Sequence, residues 1–298
     1  MQPPLPTILL RPGEADRVIA GHPWIYQGSI LRLTAPVADG DVVQVKDHRQ
    51  RFLGSGFYNS KSRIAVRILD PERVTVDESF FEQRIRASLA LRQKYQPGAT
   101  SFRVVNSESD FLSGLIVDKY EDVLVIQTSS LGMDRRKADI VGVLQKIFTP
   151  RAIVERNETS SRKFEGLPDA QGVLTGALDG DVRVSLNGLW FQTSLLTGHK
   201  TGLYLDQQVN YQRVADMVEK SPGAQVLDCF SFLGGFAHGL PLDQVGVGRE
   251  IIERFTFEVG ERFKPMLRHE GQQLVAHRLH AFVAEFHHAG ANLHRVST

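Results

Sequence analysis

Apolar residues change their spacing along this chain in a way that divides it into three regions. Residues 7–69 carry short runs of strand character: Val42-Val43-Gln44-Val45, then Phe52-Leu53-Gly54-Ser55-Gly56-Phe57-Tyr58, then Ile64-Ala65-Val66-Arg67-Ile68-Leu69. Gly40-Asp41 and Asn59-Ser60 supply the turn chemistry around them. A small β-barrel or sandwich is expected, ending near Asp70-Pro71, because the residue before a proline is pushed out of the helical region. From Asp77, a good N-cap, the spacing becomes helical: Phe81, Ile85 and Leu89 recur every four residues and predict a helix over 77–95. Strand-like segments follow at 103–105, 115–118 and 123–128, and a helix is expected over 134–148 with Ile140, Leu144, Ile147 and Phe148 inward. Strands at 152–156, 182–186 and 189–192, with turn signals at Gly176 and Asp179-Gly180-Asp181, complete a compact α+β region.

From about residue 193 the pattern turns α/β. A helix is expected from Asp206 to Lys220, stopped by Ser221-Pro222-Gly223, before the buried strand Gln225-Val226-Leu227-Asp228-Cys229-Phe230. Leu233-Gly234-Gly235-Phe236 then turns toward a further helix, which Pro241 should break, and only Val245-Gly246-Val247 reads as another strand. The fold class expected is α/β and α+β multidomain. A β-barrel occupies 1–72 and a central α+β domain 73–190. An incomplete Rossmann-like domain occupies 191–298, with 238–298 as an atypical tail.

Charge changes this picture locally. The whole chain of 298 residues has a net charge of +1, so it exerts no general pull on nucleic acid. Residues 1–69, however, hold nine Lys/Arg against five Asp/Glu, a net +4. Lys46, Arg49, Arg51, Lys61 and Arg63 are interleaved there with Phe52, Phe57 and Tyr58. Cations meet phosphates and aromatics stack on bases, so this surface is read as RNA-facing, the alternative being a solvated face over core aromatics. The single cysteine excludes an internal disulfide and a multi-cysteine zinc site. No apolar run reaches the ~18 residues of a membrane span, and the start lacks the basic and apolar regions of a signal peptide. A cytoplasmic location with no membrane partner is expected.

The chemistry-bearing motif is the segment from Val226 to Phe236. A buried strand that ends in an acidic residue, followed by a glycine turn and a helix, brings bare backbone N–H groups to a ligand and offers Asp228 to its hydroxyl or ammonium groups. Adenosyl cofactors and nucleotides both suit it, and so does an ordinary strand-to-helix turn. Gly198-His199-Lys200-Thr201-Gly202 lacks the earlier glycine of a phosphate loop. The tail from 238 holds seven of the ten histidines. Among them His277, His280, His287, His288 and His294 show no metal-binding i, i+4 pair. Surface histidines or an altered reading frame explain them better. Cys229, just before the glycine turn, reads as a packing residue rather than a nucleophile.

Taken in series, these segments resemble one family: the PUA-containing class I SAM-dependent methyltransferases of large-subunit ribosomal RNA, whose members methylate carbon 5 of cytosine. Gly21-His22-Pro23-Trp24-Ile25-Tyr26 and Gly54 through Ile64 resemble the family's PUA module. Ser109 through Tyr120, Glu155-Arg156-Asn157 and Arg162-Lys163-Phe164-Glu165-Gly166-Leu167 resemble its central domain. Lys200 through Asn210 resembles its entry into the catalytic domain, and Asp228 to Phe236 its SAM motif. The resemblance runs from about residue 8 to 237. It implies that Asp228, Phe230, Gly234 and Gly235 border S-adenosyl-L-methionine, with Gln207 and Asn210 nearby. Glu250 is the one candidate for the carboxylate that holds the cofactor's ribose. Beyond Ala237 the family's Pro-Pro loop and late catalytic cysteine have no counterpart, which reads as a frameshift or degraded gene end.

Carbon 5 of cytosine is a poor nucleophile, and a thiolate added at carbon 6 is the usual remedy. Cys229 follows Asp228 directly, and strand neighbours point to opposite faces, so a cofactor-facing Asp228 turns Cys229 away. No catalytic residue is therefore assigned. The competing readings are a methyltransferase by descent with ribosomal RNA as partner, a non-catalytic RNA-binding protein, and a methyltransferase for another atom.

Overall fold

The computed structural model describes residues 5–198 and 201–221. The expected strand at 225–230, the glycine turn at 234–235 and the tail lie outside the described residues. The first seven elements are β1 (Thr7–Leu10), α1 (Asp16–Ile19), β2 (Trp24–Tyr26), β3 (Ile30–Leu33), β4 (Val42–Lys46), β5 (Phe52–Tyr58) and β6 (Ile64–Asp70). They build a six-stranded sheet in the order β2-β6-β5-β4-β1-β3. β1 runs parallel to β4 and antiparallel to β3, so the first strand is inserted beside a later hairpin rather than paired only with its sequence neighbour. Alternate residues of these strands, Ile8, Leu10, Val43 and Val45, point into one core with Ile25, Leu53 and Val66.

The second region comprises α2 (Glu78–Tyr95), β7 (Phe102–Asn106), β8 (Leu115–Tyr120), β9 (Val123–Thr128), α3 (Leu131–Arg135), α4 (Lys137–Phe148), β10 (Ala152–Arg156), α5 (Ser160–Phe164) and β11 (Gln171–Gly176). Its strands form a five-stranded sheet, β11-β10-β9-β8-β7, in which only β9 and β10 run parallel. Asp77 caps α2 as the sequence predicts, its carboxylate accepting from the Phe80 N–H at 3.0 Å. The run Val123-Leu124-Val125-Ile126 has no polar alternation because both faces of β9 are covered. Leu124 and Ile126 pack among α2 and α4 through Phe81, Ile85, Ile140 and Leu144. Val123 and Val125 pack on the other side with Val184 and Phe191, from the hairpin of β12 (Val182–Leu186) and β13 (Leu189–Thr193).

Two local expectations change. The helix expected over 134–148 is two helices with a break at Arg136 (φ −102°, ψ 13°). Gly132 lies so close to the Phe57 ring that a Cβ there would stand 2.2 Å from it. Arg136 covers the same ring at 4.5 Å and donates to the carbonyls of Gly40 and Gly132. Tertiary contact with the first sheet thus overrides helix continuity. β11 was not expected: it is a sheet edge with glycine at Gly172 and Gly176 and no clean alternation. Phe57 and Leu69 of the first sheet share a core with Phe81, Val117 and Ile126, so the barrel-like and central regions fold against each other.

The helix expected from Asp206 is a short 3-10 turn at Leu205–Gln207 followed by α6 (Gln208–Glu219). Contacts divide the chain into two compact units, 1–209 and 210–298. Of the second unit, the described residues are the body of α6 and its end through Ser221.

Candidate nucleic-acid interface

The five expected RNA cations fall into two sets. Lys46, Arg49 and Arg51 sit at the β4–β5 turn, whose backbone is folded by Asp47: its carboxylate accepts from the N–H groups of Arg49 and Arg51, both at 2.8 Å. Lys61 and Arg63 sit at the β5–β6 turn, beyond the opposite end of β5. Seven strand residues therefore separate the sets, roughly 20 Å at the usual rise. Arg49, Arg51, Lys61 and Arg63 are exposed, and Lys46 is half-buried. The interleaved aromatics do not form a stacking face. Phe57 is in the core and Phe52 is covered by Arg73 at 4.2 Å. Tyr58 is half-buried, and burial, then the charge of Asp39, pushes its hydroxyl above the ordinary range.

The β5–β6 turn is held from across the chain by one carboxylate. Glu165, 3% exposed, accepts from Asn59 Nδ2 at 2.9 Å, Ser62 Oγ at 2.7 Å, Arg67 Nη2 at 3.0 Å and the Leu131 N–H at 3.3 Å. Its own carbonyl takes a second bond from Asn59 Nδ2 at 3.0 Å. Arg67 also pairs with Glu108 at 3.3 Å, and Glu108 accepts from the Trp24 indole N–H at 2.9 Å and Ser113 at 2.7 Å. Glu165 stands in the segment Arg162–Leu167 that carries the family resemblance, but nothing in its sequence context marks it as the partner of Asn59 and Ser62.

A second anchor lies just before Glu165. Arg162, 1% exposed, pairs with Asp134 at 2.8 Å and donates to Pro168 O at 2.9 Å and to the backbone and hydroxyl of Thr128. Burial raises the carboxyl of Asp134, but bonds from Arg162 and Thr128 outweigh it and the net shift is downward. Glu108 behaves alike: burial pushes it up, and bonds from Ser107, Ser113 and Trp24 bring it below the usual value. A carboxyl depressed in the folded state contributes stability that is present above its unfolded pKa and lost as pH falls through the folded one. Urea midpoints are therefore expected to hold steady down to about pH 5 and to drop by about pH 3. Equal midpoints at both values would count against these two groups.

The segment that enters the third region is fastened to the central sheet. Thr201 Oγ1 donates to Asp118 at 2.7 Å, and Arg103 grips the same fully buried carboxylate through Nε at 2.8 Å and Nη2 at 3.0 Å. The Leu203 N–H donates to the Tyr120 hydroxyl at 3.0 Å, and that hydroxyl donates back to Leu203 O at 3.3 Å. Gly202 (φ +140°) leaves no room for a side chain: a Cβ would lie 2.7 Å from Leu195 and 3.2 Å from Tyr120. Gln208 completes the attachment by donating to Ser101 O at 2.9 Å. Gln207 is half-buried on the 3-10 turn, and Asn210 is exposed on α6. Asp228, Phe230, Gly234, Gly235 and Glu250 lie outside the described residues.

A family model described as a PUA-like domain matches residues 8–71, the span of β1 to β6. In fold, the chain is similar to a candidate SAM-dependent methyltransferase from Streptococcus mutans (TM-score 0.64, 18% identity), covering 78% of this chain and 59% of that one. A second solved structure with the same figures is described as a candidate methyltransferase complexed with SAH.

Relatives by sequence are more specific. Ribosomal RNA large subunit methyltransferase I of Pseudoalteromonas translucida is 35% identical over 234 residues, and its Shewanella amazonensis counterpart 37%. That of Vibrio vulnificus is 34% identical over 232 residues. Each alignment covers 77% of this chain and 58% of the relative, so the chain spans less than two thirds of the length of these proteins. Over that stretch the similarity drawn from the motifs is borne out: the chain is similar to the ribosomal RNA large subunit methyltransferases, and its residues 8–71 match a PUA-like domain.

Proposed function

We propose that this chain derives from the SAM-dependent methyltransferases of large-subunit ribosomal RNA that act at carbon 5 of a cytosine, and that its described residues bind that RNA. The similarity to large-subunit methyltransferases over 77% of the chain, with a PUA-like domain at residues 8–71, carries the reading. The β5–β6 turn supports it, because a clamped backbone presents Lys61 and Arg63 outward. Cations on a rigid turn lose little freedom on meeting phosphates. In this reading residues 1–72 are a PUA-like RNA-binding domain, 73–190 a central domain, and 191–298 a partial methyltransferase domain in a cytoplasmic protein. Lys46, Arg49 and Arg51 form a second phosphate-binding set. S-adenosyl-L-methionine, which supplies an electrophilic methyl group when bound, would lie near Asp228, Phe230, Gly234, Gly235, Gln207, Asn210 and Glu250.

The 298-residue chain should bind a large-subunit rRNA fragment. In the Lys61→Glu/Arg63→Glu variant, binding should weaken and the salt dependence should flatten by about two in slope. With labelled SAM, the same chain is expected to bind RNA without methylating cytosine, since its single thiol is Cys229. Transfer that disappears in Cys229→Ala would make that residue the nucleophile. A parent chain with no RNA affinity would overturn the reading altogether.

A further inference from the structure

The segment that carries Glu165 also presents a face that neither the charge pattern nor the motifs assign. Within α5 and its end, Arg162 and Glu165 both turn inward, 1% and 3% exposed at the side chain, and each is held by several bonds. Lys163 and Phe164, between these two anchors, are forced outward, and the Phe164 ring is 69% exposed. A single exposed apolar residue is ordinary on a protein surface. Here the backbone on either side is pinned by buried ionic contacts, so the ring stands on a rigid support.

Its surroundings are cationic. Glu165 bonds directly to Asn59 and Ser62, which flank Lys61 in the β5–β6 turn. A Cβ on Gly166 would lie 3.5 Å from the Lys61 side chain, so Lys61 lies along this same face. Two residues beyond Lys61, Arg63 lines a shallow depression of about 410 Å³ with Tyr26, Gln27 and Gly28. The ring of Tyr26 there is 37% exposed and lies 5.9 Å below the Arg17 guanidinium. The acidic groups next to the turn are engaged: Asp39 accepts from the Ser60 N–H at 2.6 Å and its hydroxyl at 3.0 Å, and Glu165 is bonded to Arg67. Asp169 is an exposed carboxylate beyond Pro168.

We propose that Lys163 and Phe164 continue the Lys61/Arg63 turn into one strip that binds single-stranded RNA, a base stacking on Phe164 while Lys163 and Lys61 meet the adjoining phosphates. This rests on the RNA-binding reading above and extends it from the PUA-like domain onto the central region. A lone ring flanked by cations matches the alternation of base and phosphate along a strand, whereas a protein partner is better served by a broader apolar patch. Stacking tolerates any base, so the strip supplies grip rather than sequence choice.

The test uses the 298-residue chain and a labelled unstructured RNA of about 12 nucleotides, followed by fluorescence anisotropy across a salt series. Phe164→Ala should weaken binding about tenfold with the salt slope unchanged, and Phe164→Trp should restore it. Lys163→Glu should lower the salt slope by about one. Phe164 faces solvent, so its variants should melt with the parent, and rescue by tryptophan reads stacking even if they do not. If Phe164→Ala binds as the parent does while Lys61→Glu/Arg63→Glu binds weakly, the strip ends at the turn and only the present proposal fails. If neither variant weakens binding, both readings fall. Retained RNA affinity with lost self-association in sedimentation would assign the face to a protein contact and overturn the proposal.

Discussion

Replacing Glu165 by alanine is expected to destabilise the chain by about 3–5 kcal/mol and to lower RNA affinity with it. The carboxylate lies where the first sheet meets the central region and satisfies Asn59, Ser62, Arg67 and the Leu131 N–H together. Without it, Arg67 keeps only Glu108 as an ionic partner and remains 13% exposed, with Nε already unbonded among the described residues. Truncating one partner of a buried pair leaves the other charge desolvated and uncompensated. The β5–β6 turn loses its tether in the same step, so Lys61 and Arg63 would have to be ordered by RNA itself. Urea unfolding of parent and variant measures the first effect, and anisotropy under folding conditions the second. A stability loss below about 1 kcal/mol would mean that water replaces the carboxylate, as it does in surface pairs.

Asp118→Ala is expected to be nearly as damaging and to act at the other end of the central sheet. Asp118 is fully buried between Arg103 and Thr201, and the hydrogen bond it accepts from Arg103 raises the Arg103 pKa. Its loss should cost about 2–3 kcal/mol, chiefly because it leaves the buried Thr201 hydroxyl unpaired, while the partly exposed Arg103 guanidinium can turn to water. The local sign is sharper. Tyr120 holds Leu203 by a two-way bond, and burial, then the Asp118 charge, pushes its hydroxyl well above the ordinary range, so it keeps its proton. Without Asp118, Thr201 loses its acceptor, and hydrogen exchange at the Leu203 amide should quicken more than at Ile126 in the sheet centre. Asp118→Asn, which keeps an acceptor for Thr201, should fall between parent and alanine. Equal protection at Leu203 in all three would show that Tyr120 and Gly202 hold the entry segment alone.

Much of the fold was legible because it is local. The Phe81-Ile85-Leu89 spacing and the Asp77 cap place α2 to within a residue. The β4, β5 and β6 runs with their turn residues place that hairpin series, and the apolar run at 123–128 is β9. β11 was not legible, since an edge strand needs no apolar alternation, and neither was the break at Arg136, which is imposed by the Phe57 ring. Of the candidate site, the cations could be named from sequence, but not their separation into two turns at opposite ends of β5.

The sequence by itself determined residue chemistry and short-range geometry: which segments extend, where turns form, where charge accumulates, and that one thiol exists in the chain. Only the tertiary structure decided that Asn59 meets Glu165 across 106 positions, that Asp118 meets Thr201 across 83, and that Phe57 is a core residue rather than a base-stacking platform. Local propensities act over a few residues. A buried carboxylate finds its donors only when sheet packing brings distant turns together, and the cost of leaving those donors unsatisfied then makes that arrangement the stable one.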